Sequence, residues 1–397
     1  MAESPIQAAP LPMQRPTERQ LDPPDGMRAR HPISRVSHPD GHVGWLVTGH
    51  SMVRRILADP RFSSRHELMH YPFPGGEGVV MPPAPPGHFT ALDPPEHTKF
   101  RRLLIGRFTV RRMRQLTGRI EQITADRLDA IAGKGSPADI VADYAYPIPA
   151  LTTCELLGVP VEDHELFQRE VRLMNALDAG EDQVAAAMTA VQDYLRELIA
   201  AKRSRPTDDV LSELAATDLT DEELEGVGLV LLAAGLDTTA NTLSLGMLAL
   251  LDRPEQLAAV RDDPATTDRA VEELLRYLSV VELILKSALE DVELDGHVIR
   301  AGDTVTLAVG AANRDPEHFP APDRLDVGRQ ALGHLAFGHG IHQCLGQQLA
   351  RVEMRIACPA LLRRFPGLRL AVPRDEIRLR TGSITGLHRL PVAWDEG

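Results

Sequence analysis

Residues 220–252 carry a helical run too long for a small domain to hold. Thr220-Asp221-Glu222-Glu223 is a capping box, in which a threonine and the glutamate three residues on satisfy each other's backbone N–H groups, and Arg253-Pro254 closes the run. At 1.5 Å per residue this is roughly 48 Å of helix. The apolar stretch 227–236 is interrupted by Asp237-Thr238-Thr239 and then Asn241, which argues for a helix buried across the whole protein rather than a membrane span. Ala234 and Gly235 leave room beside it, and the Thr238 hydroxyl can bond back to the Ala234 carbonyl, so a polar notch is expected in an apolar wall. A carboxylate buried unpaired at Asp237 would cost several kcal/mol; it is therefore either paired for structural reasons or held there for proton traffic.

The rest of the chain arranges itself around that helix. Two short β-rich runs flank Pro39-Asp40-Gly41, and Val292-Glu293-Leu294 and His297-Val298-Ile299 flank Asp295-Gly296, so each group reads as a hairpin. Residues 51–272 are mostly of helical period, and the last thirty or so are strand-like. The proline- and glycine-rich stretch 71–87 holds no regular element and reads as a passive loop in preference to a lid. Residues 1–30, with six prolines among polar residues, read as a flexible lead-in without a membrane anchor, and residues 31–397 as a single domain. The fold class expected is mainly α with small β-sheets from both ends.

Net charge is -13, so nonspecific attraction to nucleic acid or to an anionic membrane is not expected. The three cysteines, Cys154, Cys344 and Cys358, are scattered, which excludes a disulfide scaffold and fits a cytoplasmic setting. One of them sits in the loop Phe337-Gly338-His339-Gly340-Ile341-His342-Gln343-Cys344-Leu345-Gly346, just before a helix-forming stretch. A helix start favours an anionic sulfur, and the glycines let the backbone approach a flat ligand. Zinc fits poorly, because Cys358 lies roughly 21 Å further along the same helix. A Cys–His nucleophile using His342 remains open on these residues alone.

Taken together, the cysteine loop, Ala234-Gly235-Leu236-Asp237-Thr238-Thr239 and Glu273-Leu274-Leu275-Arg276 resemble the cytochrome P-450 family over nearly the whole chain. The resemblance implies that fold, with the long helix and the cysteine loop sandwiching haem b, and Cys344 as the ligand to its iron. It implies that His97, Arg101, Lys286 and His342 meet the haem propionates, with Lys286 standing where an arginine is usual, and that Phe337, Gly338, Ala234 and Gly346 also contact the cofactor. It further implies that Arg329 closes a network with Glu273 and Arg276 beneath the loop, with Leu325 nearby where phenylalanine is common. Asp237 and Thr238 are then the catalytic pair that manages protons for dioxygen activation.

The implied activity is a monooxygenase that inserts one oxygen atom from O2 into a C–H or C=C bond of a hydrophobic small molecule. With only 4% aromatic residues, a bulky, mostly aliphatic substrate such as a macrolide, terpenoid or sterol is expected. Pocket walls are expected from residues 71–90, 163–200, 281–285 and 383–387, with Leu232, Ala233, Val281, Glu282, Leu283 and Ile384 as contacts; the Glu282 carboxylate either meets a basic or hydroxylated group of the substrate or, the preferred reading, turns outward. Seven basic and no acidic residues in 99–114 suggest docking of an acidic ferredoxin or flavodoxin-type electron donor. The competing readings are oxidative coupling or ring formation at the same haem, and a non-catalytic haem sensor or scaffold.

Overall fold

The capping box closes in the computed structural model: the Thr220 hydroxyl accepts the Glu223 N–H at 3.2 Å and the Glu223 carboxylate accepts the Thr220 N–H at 3.0 Å. From there the helix Asp221–Leu251 runs unbroken. The structure describes residues 8–28, 31–72, 81–174, 180–380 and 384–395. Helices Pro147–Leu157, Glu181–Ser204 and Gln347–Arg364 pack along the sides of the central one. By length and composition this helix could cross a bilayer, yet 72% of its most apolar window is buried inside the protein.

Two large apolar clusters share the central helix. Leu224, Val227, Leu232 and Leu236 of its first half join a cluster with Leu195, Leu211 and Phe167. Ala240, Leu243, Met247 and Leu248 of its second half join another with Tyr144, Leu274 and Leu361. At about 2 kcal/mol per buried aliphatic side chain, each half is held by its own core. The polar residues 237–239 fall where one cluster ends and the other begins.

A six-stranded sheet lies to one side, in the order Ala9–Pro10, Ile33–Ser37, Val43–Val47, Thr304–Ala308, Leu283–Ala288, Phe62–Ser63. The hairpin of Ile33–Ser37 and Val43–Val47 pairs Ile33 with Val47 and Ser37 with Val43. Asp295 and Gly296 both take positive φ, which matches the right-handed twist of the strands Val292–Leu294 and His297–Ile299 that they join. Near the C-terminus, Arg369–Leu370, Pro391–Ala393 and Ala138–Asp139 form a three-stranded sheet.

Two expectations need revision. Over its described residues the proline-rich lead-in is not loose: Ala9 and Pro10 pair with Val36 and Ser37, while Leu11 and Met27 are buried with Leu46 and Ala308. The 71–87 loop, expected as a passive connection, has its first residue, Tyr71, lining a cavity together with Phe89 and Thr90 just beyond its end. Residues 73–80 of that loop lie outside the described residues.

Candidate active site

The helix Gln347–Arg364 begins just after the cysteine loop, so its free N–H groups face the loop. The Cys344 sulfur accepts hydrogen bonds from the backbone N–H groups of Gly346 and Gln347, and Arg101 and Arg351 lie near it. Burial nevertheless pushes the thiol up, so a thiolate here calls for a further positive charge against the sulfur. The accessible surface of Cys344 faces an interior cavity rather than bulk solvent, whereas Cys154 and Cys358 are packed in the core and pushed up to about 12 by burial. The loop is closed by the Cys344 N–H donating to the Phe337 carbonyl at 2.8 Å. At Gly340, φ is 76° and a Cβ would sit 2.4 Å from the Leu57 carbonyl oxygen, so only glycine lets the loop lie against the helix His50–Ala58.

Beneath the loop, Glu273 and Arg276 form a bidentate pair at 2.8 Å with both side chains 0% exposed, where an exposed face would be the ordinary fate of such a pair. Arg276 also donates to the Asn313 and Pro322 carbonyls, while Glu273 accepts from Arg329 at 3.1 Å and from the Asp326 N–H at 3.0 Å. Asn313 in turn accepts the Leu335 N–H at 2.7 Å, two residues before Phe337. A second tie runs through Glu272. Burial pushes this carboxyl up, but hydrogen bonds from His334 and Arg351 outweigh burial and hold it down at about 2.

Cys344 faces a cavity of about 550 Å³. Phe337, Gly338, Gly346 and Ala234 line it, as do His97, Arg101, Lys286 and His342. The His97 and His342 ring centroids are 4.2 Å apart, and neither buried ring nitrogen of His97 has a partner. Burial first, then neighbouring cations, lowers the pKa of both histidines, that of His342 to about 3, and burial lowers Lys286 to about 8. Asp93 offsets part of this charge and is itself held by Ser63 and the Ser64 N–H. Four basic groups crowded together, with both ring nitrogens of His97 unpartnered, suit a dianionic ligand, so the residues present fit a haem carrying two propionates. Among the described residues, no group of three or more His, Cys, Asp or Glu could hold a metal ion.

On the central helix the cavity face is Val230, Leu231, Ala234, Gly235, Thr238, Thr239 and Thr242, a spacing of three and four that follows the helical repeat. Thr238 donates to the Ala234 carbonyl at 3.0 Å, as the notch requires. Asp237 is turned about 100° from Thr238 and is absent from the lining. Its carboxylate is 1% exposed and accepts from Arg380 at 2.6 Å and from the Tyr146 hydroxyl at 2.7 Å. The acid and the alcohol expected to act as a pair are thus separated.

The same helical repeat removes two expected wall residues: Leu232 is buried in a core cluster and Ala233 lies off the cavity face. Val281 and Leu283 do line the cavity. Glu282 points neither into it nor outward to solvent, because Arg15 and Thr385 bind its carboxylate. Ile384 is absent from the lining and is bridged to Val281 beside it. No described residue of 163–200 reaches the cavity.

Glu353 was overlooked by sequence reasoning. It lines the cavity from the cysteine helix, is 2% exposed, and leaves its Oε1 without a partner. Burial pushes this carboxyl up to about 8, against the lowering effect of hydrogen bonds with Thr152 and Thr239. The Thr152 hydroxyl donates to the Ile148 carbonyl at 2.9 Å, which leaves its lone pairs to accept a hydrogen bond from the protonated Glu353 carboxyl. A signal was available: Leu349, Glu353, Ala357 and Leu361 stand four apart in one buried row, so a carboxyl occupies a core position.

The basic stretch 99–114 is mostly accounted for within the molecule. Lys99 pairs with Glu223, Arg107 and Arg112 pair with Glu213, and Arg101 donates to the Gln343 carbonyl of the cysteine loop. Arg102, Arg111 and Arg114 are exposed and have no ion-pair partner among the described residues.

A profile of the Cytochrome P450 family matches residues 166–377. Cytochrome P450 105C1 of Streptomyces sp is 48% identical to the chain, over 98% of this chain and 100% of that one. Vitamin D3 dihydroxylase of Streptomyces griseolus is 41% identical, over 91% of each. The crystal structure of CYP105P1 in complex with filipin I superposes with a TM-score of 0.92 at 40% identity, over 98% of this chain and 99% of that one.

The buried acid generates a pH test. An unfolded Glu353 titrates near its ordinary value of 4.5, and the folded one near 8. Between those values the folded state holds the extra proton, so this contribution to stability is complete below about pH 4.5 and is lost as the pH rises through 8. Glu353→Gln, always neutral, should gain in unfolding temperature on the wild type steadily from pH 5 to pH 8. A difference that stays constant across this range in circular-dichroism melts would show that the carboxyl is not held neutral.

Proposed function

The chain belongs to the cytochrome P450 family, and from that membership we propose how its residues divide the work of a haem b monooxygenase of the secondary-metabolism or xenobiotic type. The observation that carries the proposal is the presence of the Cys344 sulfur, the Thr238 hydroxyl and four basic side chains in the lining of one cavity. Cys344 would supply the thiolate that ligates the haem iron. His97, Arg101, Lys286 and His342 would hold the propionates, and Phe337, Gly338, Ala234 and Gly346 would meet the ring. When bound, the haem supplies reductive activation of dioxygen and insertion of one oxygen atom into a C–H or C=C bond.

Proton handling falls to the chain. Glu353, neutral near pH 7, holds a proton against the cavity, and Thr238 moves protons at its Oγ1 by releasing the Ala234 carbonyl. Asp237 braces the notch through Arg380 and Tyr146 and joins the traffic only when that clamp opens. Leu156, Val230, Leu231, Val280, Val281 and Leu283 exclude water and select a bulky, mainly aliphatic substrate. The names of two relatives agree with that class: one is a vitamin D3 dihydroxylase, and the other binds filipin I.

Electrons arrive from a separate acidic ferredoxin or flavodoxin-type protein in the cytoplasm. The unpaired Arg102, Arg111 and Arg114 favour its approach, and the exposed Ile105 and Ile341 offer apolar contact. The helix Glu96–Ile105 is joined to the cysteine loop through Arg101 and Gln343.

Purified Cys344→Ala should lose the absorption that carbon monoxide gives with reduced thiolate-ligated haem; an unchanged spectrum would sink the assignment. Thr238→Ala should send a larger share of the consumed electrons to hydrogen peroxide, read as peroxide formed per reduced donor oxidised, and unaltered coupling would remove Thr238 from proton handling. Reversing Arg102, Arg111 and Arg114 to glutamate should slow reduction by an acidic ferredoxin about tenfold at low salt. That gap should narrow as ionic strength rises, whereas equal rates at all salt concentrations would place docking elsewhere.

A further inference from the structure

One wall of the cavity is held from behind by the N-terminal segment. Val280, Val281 and Leu283 line the cavity; the Thr385 N–H donates to the Val280 carbonyl at 2.9 Å, and Ile384 bridges to Val281. Glu282, between two lining residues, turns its carboxylate away from the cavity and accepts from the guanidinium of Arg15 and from the Thr385 hydroxyl. Arg15 donates as well to the Gln20 and Asp22 carbonyls, at 2.9 and 2.6 Å. Both members of the Arg15–Glu282 pair have side chains 12% exposed.

The segment that carries Arg15 is itself anchored. The Asp22 carboxylate accepts from Arg314 at 3.2 Å, and Arg314 is fully buried with its guanidinium 3.7 Å from the centre of the Tyr277 ring. Leu283 packs against the cluster of Leu11, Met27, Leu46 and Ala308, which Met13 also joins. The wall is therefore gripped twice from the lead-in, by an ion pair at Glu282 and by apolar packing at Leu283.

We infer that Arg15 is a positioning residue for the substrate cavity: it ties the N-terminal segment to residues 280–285 and to residues 384–387 at once, and so helps decide which molecules that wall accepts. The inference rests on reading the cavity as the haem and substrate site. Its physical basis is the penalty for a stranded charge. Without Arg15, the Glu282 carboxylate is left largely buried without its cation, one residue from the cavity on either side, and the two stretches lose their shared partner. Glu282 and Thr385 alone can still bond each other, but nothing then fixes their position relative to the body.

The test uses the haem-loaded full chain and two probes that bind through an imidazole nitrogen: imidazole itself, which senses the iron, and a triaryl imidazole, which also presses on the cavity walls. Arg15→Met should weaken the triaryl probe about tenfold in spectral titration while imidazole changes less than about twofold. Adding Glu282→Met removes the stranded carboxylate and should restore the unfolding temperature without restoring affinity for the triaryl probe. The inference is overturned if both probes weaken together, if neither does, or if the double variant regains the triaryl affinity along with its stability. Should imidazole give no spectral shift even with the wild type, the haem-site reading fails first and the positioning role falls with it.

Discussion

The pair Glu273–Arg276 is the interaction on which the geometry of the site depends. Two charges with no exposure need every lone pair and every N–H engaged, and here the bonds to Arg329, Asp326, Asn313 and Pro322 engage them. Such a pair adds little net stability over an apolar one of the same volume; what it adds is direction, because its bonds reach Asn313, Pro322, Asp326 and Arg329 and tie that stretch of chain to one helix. The loop 337–346 inherits that placement, and the sulfur of Cys344 is located by it. Glu272, held by His334 and Arg351, secures the same loop from the next position on the same helix.

Much of this was legible in the sequence where the signal was local. The capping box at Thr220, the Asp295-Gly296 hairpin and the back-bond from Thr238 to Ala234 each depend on residues within four positions of one another, and each stands in the structure as its residue types require. The residues gathered around the cavity were legible for a different reason: the resemblance named positions that composition alone would never single out, such as His97 and Lys286.

What stayed hidden was long-range. Nothing near Asp237 announces Arg380, 143 residues away, yet that partner turns the carboxylate from the cavity. Nothing near Glu282 announces Arg15, 267 residues away, so the choice between facing outward and facing a substrate omitted the answer the structure holds. Leu232 and Ala233 were misplaced by helical phase, which one correctly placed neighbour would have settled, since Ala234 and Thr238 already define the cavity face. Glu353 could have been found by that logic from the row of Leu349, Ala357 and Leu361.

The central helix has one further property. Its first half is fastened into one apolar cluster and its second half into another, while between them Thr238 and Thr242 each place a hydroxyl on the carbonyl four residues earlier. Hydroxyls that share those carbonyls loosen the ladder locally. A rod clamped at both ends and softened at its middle flexes at the soft point, so motion between the two halves of the molecule would concentrate as a hinge beside the Thr238 hydroxyl at the cavity face.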